Sequence, residues 1–411
     1  MIAIVNGDVV TVTRGTIRKG SILIEDGRIV AVGRDVGPIP KAAKVFDARG
    51  KVVTPGLIDA HCHTGIFADG VASMEADGNE MTDPVTPHLR AIDAIHPEDM
   101  AFKDLREAGV TTINTGPGSG NLIGGQFACL KTKKATTVEE MLVLAPSGMK
   151  MALGENPKRV YGGQKKPPST RMGNAAELRT TLIAAQNYRD KLARYAEKKA
   201  RYDDDLSRWE ARPEGARPQP PDPPERNLKL ESLIPVLEGK LRAMIHCHRA
   251  DDILTAVRIA EEFGLRFSLE HATEGYKVAG LLADKRIPCV VGPIFFSRVK
   301  YELRELTPRN PGILSKAGVK VAIQTDELSA VRYLILNAAL AVQQGMDEGE
   351  ALKAITINPA EIIGVADRVG SLEAGKDADL VIFSGHPLDY RSVPELVLID
   401  GRVEYKRTKT G

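Results

Sequence analysis

The sequence predicts an α/β protein: a (β/α)₈ TIM-type barrel with a small composite β-sandwich formed by its N- and C-terminal segments. Three observations predict it. Both ends of the chain alternate and turn at hairpin scale, single apolar strands alternate with helical stretches between them, and several of those strands finish in histidine or a carboxylate.

The terminal element comes first. Ala3-Ile4-Val5-Asn6-Gly7-Asp8-Val9-Val10 and Ser21-Ile22-Leu23-Ile24-Glu25-Asp26-Gly27-Arg28-Ile29-Val30 carry Asn-Gly and Asp-Gly beside β-branched runs, which are hairpin signals. Ala378-Asp379-Leu380-Val381-Ile382-Phe383 and Val397-Leu398-Ile399-Asp400-Gly401-Arg402-Val403 repeat the style near the other end. Neither piece alone has enough strands for a stable sheet. Residues 1–54 and 368–411 are therefore expected to combine, leaving 55–367 as the barrel.

Within the barrel, strands should end near His63, Asn114, Leu130, Glu155, His246, His271, Val291 and Asp326, with helices around 97–108, 137–144, 174–200, 229–238, 250–263 and 329–345. Eight strands separated by helices are what a closed parallel barrel needs. Residues 188–227 interrupt the scheme, running through Lys198-Lys199 and Asp203-Asp204-Asp205 into Pro218–Pro224 with almost no apolar periodicity. Such composition cannot bury a face. It predicts a charged helical extension with a proline-rich return, a solvated excursion from a barrel crossover, with a lid or oligomer contact as the functional alternative.

Composition narrows the function classes. With 411 residues, 43% of them hydrophobic, the chain can bury a full core, and 56 Lys and Arg against 54 Asp and Glu leave a net charge of only +2. That balance gives no field for nucleic acid or an anionic membrane, so the expected partners are a small-molecule substrate and further copies of the chain in a homo-oligomer. The strand-like start and the lack of any apolar run near ~18 residues make a cytoplasmic location the expectation. Cys62, Cys129, Cys247 and Cys289 form no CxxC pair and read as buried apolar fillers.

The chemistry concentrates at strand ends. Val52-Val53-Thr54-Pro55-Gly56-Leu57-Ile58-Asp59-Ala60-His61-Cys62-His63 finishes in two histidines two positions apart, which share one side of an extended strand. Two converging imidazoles suit Zn²⁺ or another divalent transition metal. Leu241–His248 and Leu265–His271 also close on histidine, Val319–Asp326 closes on a carboxylate, and Met149-Lys150-Met151-Ala152-Leu153-Gly154-Glu155 closes on another acid. In a parallel barrel these ends all lie at the face where active sites are built. His246 and His248 both remain candidates on the fifth strand, one as ligand and the other toward substrate, with His246 favoured because it ends the apolar run.

Pro55-Gly56-Leu57-Ile58-Asp59-Ala60-His61-Cys62-His63, Ala108-Gly109-Val110-Thr111-Thr112, and Asn358-Pro359-Ala360 followed by Gly370–Val381 resemble the signatures of the amidohydrolase superfamily, and within it the imidazolonepropionase-like amidohydrolases. The resemblance spans nearly the whole chain. It implies one or two divalent ions, zinc first with Fe²⁺ or Mn²⁺ as alternatives, His61 and His63 on the more buried one and His246 and His271 on the second. It also implies that Asp326 binds metal and moves the proton. Many relatives bridge the ions with a carboxylated lysine on the fourth strand; here Glu155 ends that strand and resembles the glutamate variant, with Lys158 a weaker bridge and Lys150 placed too early.

Such a ligand set lowers the pKa of a bound water to ~7 and polarises the group under attack, while Asp326 serves as general base and then general acid. The expected reaction is hydrolysis of a C–N bond in a small amide, cyclic amide or dipeptide-like molecule. Deamination of a ring amidine is the enzymatic alternative, and a scaffold on a retired barrel is disfavoured because no ligand position has been lost. The loop Thr115–Gln126 lacks the Lys-Ser/Thr ending of a phosphate cradle and reads as a rim beside the substrate.

Overall fold

A computed structural model describes residues 1–67 and 77–408; residues 409–411, assigned above to the terminal sandwich, lie outside the described residues. The first five strands are β1 (Ile2–Val10), β2 (Thr16–Glu25), β3 (Arg28–Gly33), β4 (Lys44–Asp47) and β5 (Val52–Pro55). Asp26 and Gly27, both at positive φ (47° and 79°), make the two-residue turn between β2 and β3. This is the primed hairpin that Asp-Gly predicts.

The next eight strands are β6 (Leu57–Cys62), β7 (Val110–Thr115), β8 (Ile123–Lys131), β9 (Leu142–Ala152), β10 (Ala243–Cys247), β11 (Phe267–His271), β12 (Cys289–Val291) and β13 (Val321–Ile323). They form one sheet in chain order, β6 to β13. Hydrogen bonds from His63 N to Glu327 O (3.0 Å) and from Asp326 N to His61 O (3.2 Å) bring its two edges together. The buried Asp59 carboxylate strengthens the seam, accepting from His61 N at 3.0 Å, Thr325 N at 3.1 Å and Thr325 Oγ1 at 2.7 Å.

One strand departs from the all-parallel expectation, because β8 runs antiparallel to both β7 and β9. A parallel crossover needs a dozen or more residues, and only Gly116–Leu122 separate β7 from β8. The helix expected over 137–144 is correspondingly reduced to Val138–Met141, after which β9 begins.

The last strands, β14 (Leu380–Phe383), β15 (Pro394–Ile399) and β16 (Arg402–Lys406), return to the N-terminal strands. β14 pairs antiparallel with β5, so both ends of the chain share one eight-stranded sheet. Ile4, Ile22, Ile29 and Val53 from one end pack with Leu380, Ile382, Leu396 and Leu398 from the other, giving the sheet an apolar interior that neither segment could build alone. Buried Lys131 at the end of β8 fastens this sheet to the barrel through ion pairs with Asp377 (2.7 Å), Asp379 (3.2 Å) and Asp400.

The charged insertion takes a definite form. A 41-residue helix, Arg171–Ala211, buries Leu178, Thr181, Leu182, Ala185 and Tyr188 at helical spacing against the barrel, and no residue beyond Tyr188 is buried. Its outer half projects into solvent, and residues 212–227 return without helix or strand. Tyr188 Oη closes the base of this arm, donating to Glu231 Oε1 at 2.9 Å and accepting from Asn227 N at 3.2 Å.

Candidate metal centre

Strand alternation aims the first residues inward. On β10, Ala243, Ile245 and Cys247 join the core between strands and helices, so Met244 and His246 face the barrel interior. On β9, Met149 and Met151 join the same outer core, which leaves Lys150 inside. On β11, Leu269 faces outward and Ser268 and Glu270 inward, the two joined by a 2.6 Å hydrogen bond.

His271 shares the outward parity of Leu269, yet its ring centroid lies 4.3 Å from that of His246 and 4.7 Å from that of His248. A backbone φ of +68° breaks the pleat there and turns the imidazole in. Asp326 has the same left-handed conformation, φ +57°, just beyond β13. Each such non-glycine residue costs about 1–3 kcal/mol, and strain of this kind gathers at sites that do chemistry.

The result is a tight constellation. Asp326 Oδ1 lies 3.2 Å from His63 Nε2, 3.6 Å from His61 Nε2 and 3.9 Å from His271 Nε2. Two groups, His61 with His271 and Asp326, and His246 with His248 and His271, each hold their donor atoms within 4.8 Å of one another. His271 is common to both.

Hydrogen bonds fix the imidazoles from behind. His61 Nδ1 donates to Glu270 Oε2 at 2.9 Å, His63 Nδ1 to Gly116 O at 2.7 Å and His271 Nδ1 to Gly292 O at 2.8 Å. Each bond leaves Nε2 as the lone-pair nitrogen, directed at the shared space. Nε2 of His271 and of His248 and both nitrogens of His246 are buried with no hydrogen-bond partner. Leaving a buried polar atom unpaired costs about 1–3 kcal/mol, and one lone-pair nitrogen from each of these three histidines in a single cluster fits a cation-binding set.

The electrostatics agree. Burial pushes His61, His246 and His248 well below the usual imidazole range and His271 down to about 3, so all four are neutral, the form that ligates metal. Burial works to raise Asp326, but the imidazoles of His271, His63 and His61 around it hold it well below the carboxylate range. Burial lifts Glu270 to about 7.

The expected bridge requires a correction. Glu155 is not brought to the histidines: β9 ends at Ala152, and Glu155 opens the helix Glu155–Gly163, its backbone N–H donating to Glu302 Oε2 at 3.0 Å. Lys158 lies further along that helix. Fully buried Lys150 stands in the centre instead, Nζ 2.9 Å from His61 Nε2. The signal was in the sequence, since a lysine between Met149 and Met151 in an apolar strand is a charge that burial must explain.

Residues 239–407 match the amidohydrolase family. A solved amidohydrolase from Thermotoga maritima is 42% identical, over 99% of this chain and 100% of that one, with a TM-score of 0.88. The chain belongs to the amidohydrolase family. It is thus a hydrolase of the superfamily that acts on C–N bonds. Amidohydrolase tasK of Hapsidospora irregularis is 29% identical over 405 residues, which are 94% of this chain but 40% of that protein, so the chain spans well under half of that relative. An imidazolonepropionase of Geobacillus kaustophilus is 27% identical over 403 residues, covering 90% of this chain and 85% of that one.

In this amidohydrolase the structure gathers His61, His63, His246, His271 and Asp326, and adds His248 with its Nδ1 paired to Thr273 Oγ1 at 2.8 Å. Lys150 and Glu270 join them unanticipated. Glu270 precedes a histidine in the sequence but gave no sign of serving a different one, because only closure of the barrel brings β11 to β6. All four cysteines are buried free thiols. Among the described residues no helix is long and apolar enough to cross a membrane.

Proposed function

We propose that this amidohydrolase hydrolyses a C–N bond of a small amide, cyclic amide or dipeptide-like substrate, using one or two divalent ions, zinc first. The observation that carries the reading is the position of Asp326 Oδ1 within 3.9 Å of three inward-facing Nε2 atoms, beside four buried nitrogens with no partner.

His61, His63 and Asp326 would hold one ion, and His246 and His271 the other. Lys150 would take the part expected of Glu155: its neutral amine can add to CO₂, forming an N–C bond and losing one proton, and the resulting carboxylate beside His61 would help to hold the ions. A divalent ion so held lowers the pKa of water to ~7 and polarises a carbonyl. The chain's own residues do the rest. Asp326, the most open member with 31% of its side chain exposed, takes the proton of the attacking water and passes it to the leaving nitrogen. Glu270 keeps His61 in the tautomer that offers Nε2 inward. His248, beyond the end of β10, faces the substrate.

Zinc-loaded protein assayed against N-acyl amino acids, dipeptides, lactams and purines tests the reading. Hydrolysis confined to the first three classes supports it, and ammonia release from purines alone would replace it with ring deamination.

A further inference from the structure

Three loops at the mouth of the barrel meet over the histidines, and they carry a charge that the metal centre does not use. Lys300, beyond β12, places Nζ 2.8 Å from Glu302 Oε1 and 3.3 Å from Asn156 Oδ1. Asn156, in the first turn after β9, donates through its amide nitrogen to Ser119 Oγ at 2.8 Å, on the β7–β8 loop. Glu302 is fully buried, and its Oε1 lies 3.6 Å from His248 Nε2.

The donor count leaves capacity unused. An ammonium has three N–H donors, and Lys300 has two polar partners; a serine accepting from Asn156 keeps its own O–H to donate. Glu302, held by Lys300 and by the Glu155 N–H, fixes the ammonium without exposing its own charge. The Lys300 side chain is 17% exposed, so it is not sealed from solvent as Glu302 is.

We propose that Lys300 and Ser119, positioned by Glu302 and Asn156, form an anion subsite that binds a free carboxylate of the substrate. The inference rests on the hydrolase reading above and narrows it: the substrate is an acid, such as an N-acyl amino acid or a dipeptide, in preference to its neutral carboxamide. A charge-assisted contact to a carboxylate is stronger than one to a neutral amide, and removing the ammonium leaves that carboxylate desolvated and unpaired.

The test uses the zinc-loaded full chain with a set of N-acetyl-L-amino acids, each paired with its carboxamide. Calorimetric binding and kcat/KM are measured for the native protein, Lys300→Met, Lys300→Arg and Ser119→Ala, with metal content checked in each. The native protein should prefer the acids; Lys300→Met should lower that preference by roughly 10- to 10²-fold, expressed mainly in KM and Kd, and Lys300→Arg should recover most of it. Ser119→Ala, which leaves the ion pair with Glu302 intact, should show a smaller loss in the same direction. Equal binding of acids and carboxamides by the native protein, or an acid preference that survives Lys300→Met, overturns the subsite. Acids that bind by calorimetry in a Lys300-dependent way but are never cleaved would overturn the hydrolytic reading while upholding the subsite.

Discussion

Lys150 Nζ stands 2.9 Å from His61 Nε2, two basic groups facing each other in an interior closed to water. Burial brings the lysine down to about 8, although Asp326 and Glu270 act to raise it. An amine so placed is poorly explained as a structural cation, and the proposal is that it carries a carboxylate that would help to hold metal. Lys150→Met should therefore lower metal content and reduce turnover by at least about 10²-fold, the scale on which even the outer partners of metal ligands act. Glu155→Gln should keep both close to native. A ¹³C resonance from protein prepared with labelled bicarbonate, absent in Lys150→Met, would identify the modification; the reverse ranking of the two variants would restore Glu155 as the bridge.

Asp326 is argued to move the proton, a role distinct from holding the ion. Asp326→Asn preserves shape and hydrogen-bond reach but removes the base, so turnover should fall by roughly 10²-fold or more while much of the metal remains. Kinetics read beside metal analysis decide it. Undiminished turnover would remove the shuttle from the mechanism.

Away from the centre, one lysine serves three carboxylates where the terminal sheet meets the barrel. Asp379 is buried there, and desolvation lifts it to about 6 against the pull of Lys131. The folded chain therefore holds a proton between about pH 4 and 6 that the unfolded chain has released, and stability from this group falls as pH rises through that window. Asp379→Asn removes the dependence, so its unfolding free energy should gain on that of the native protein from pH 4 to 6, by an amount on the order of 3 kcal/mol, and its melting temperature should rise relative to native over that window and then run parallel. Parallel curves throughout would place the proton elsewhere.

The arm beyond Tyr188 buries nothing, and its base is closed by Tyr188, Asn227 and Glu231. Replacing residues 192–223 by a short Gly-Ser linker should leave the melting temperature within a few degrees of native. A collapse of the fold would mean that the arm stabilises the barrel in a way its exposure does not reveal.

Much of this was legible in the sequence, for physical reasons that also mark where legibility ended. Asp26-Gly27 specifies its turn locally, and His61 and His63 share a strand face by alternation, so both could be read without tertiary information. The direction of β8 follows from a seven-residue connection, too short for the crossover that the parallel expectation needs. Distance from the strand end places Lys150 too early, whereas inward parity, not distance, decides which side chains enter a barrel. His271 and Asp326 reach the cluster although neither follows simple alternation, since positive φ supplies the turn. Lys300 and Glu302 lie on a loop with no periodicity, and only the closed barrel brings them to His248.

The central claim is that the His61, His63, His246, His271 and Asp326 constellation holds divalent metal and that the chemistry depends on it. Elemental analysis of purified protein, run beside turnover before and after chelation and again after adding zinc, tests it most directly. One to two equivalents of a divalent transition metal are expected, with loss of turnover on its removal, recovery on its return, and neither metal nor turnover in a His61→Ala, His63→Ala protein. Full turnover by protein without transition metal would contradict it.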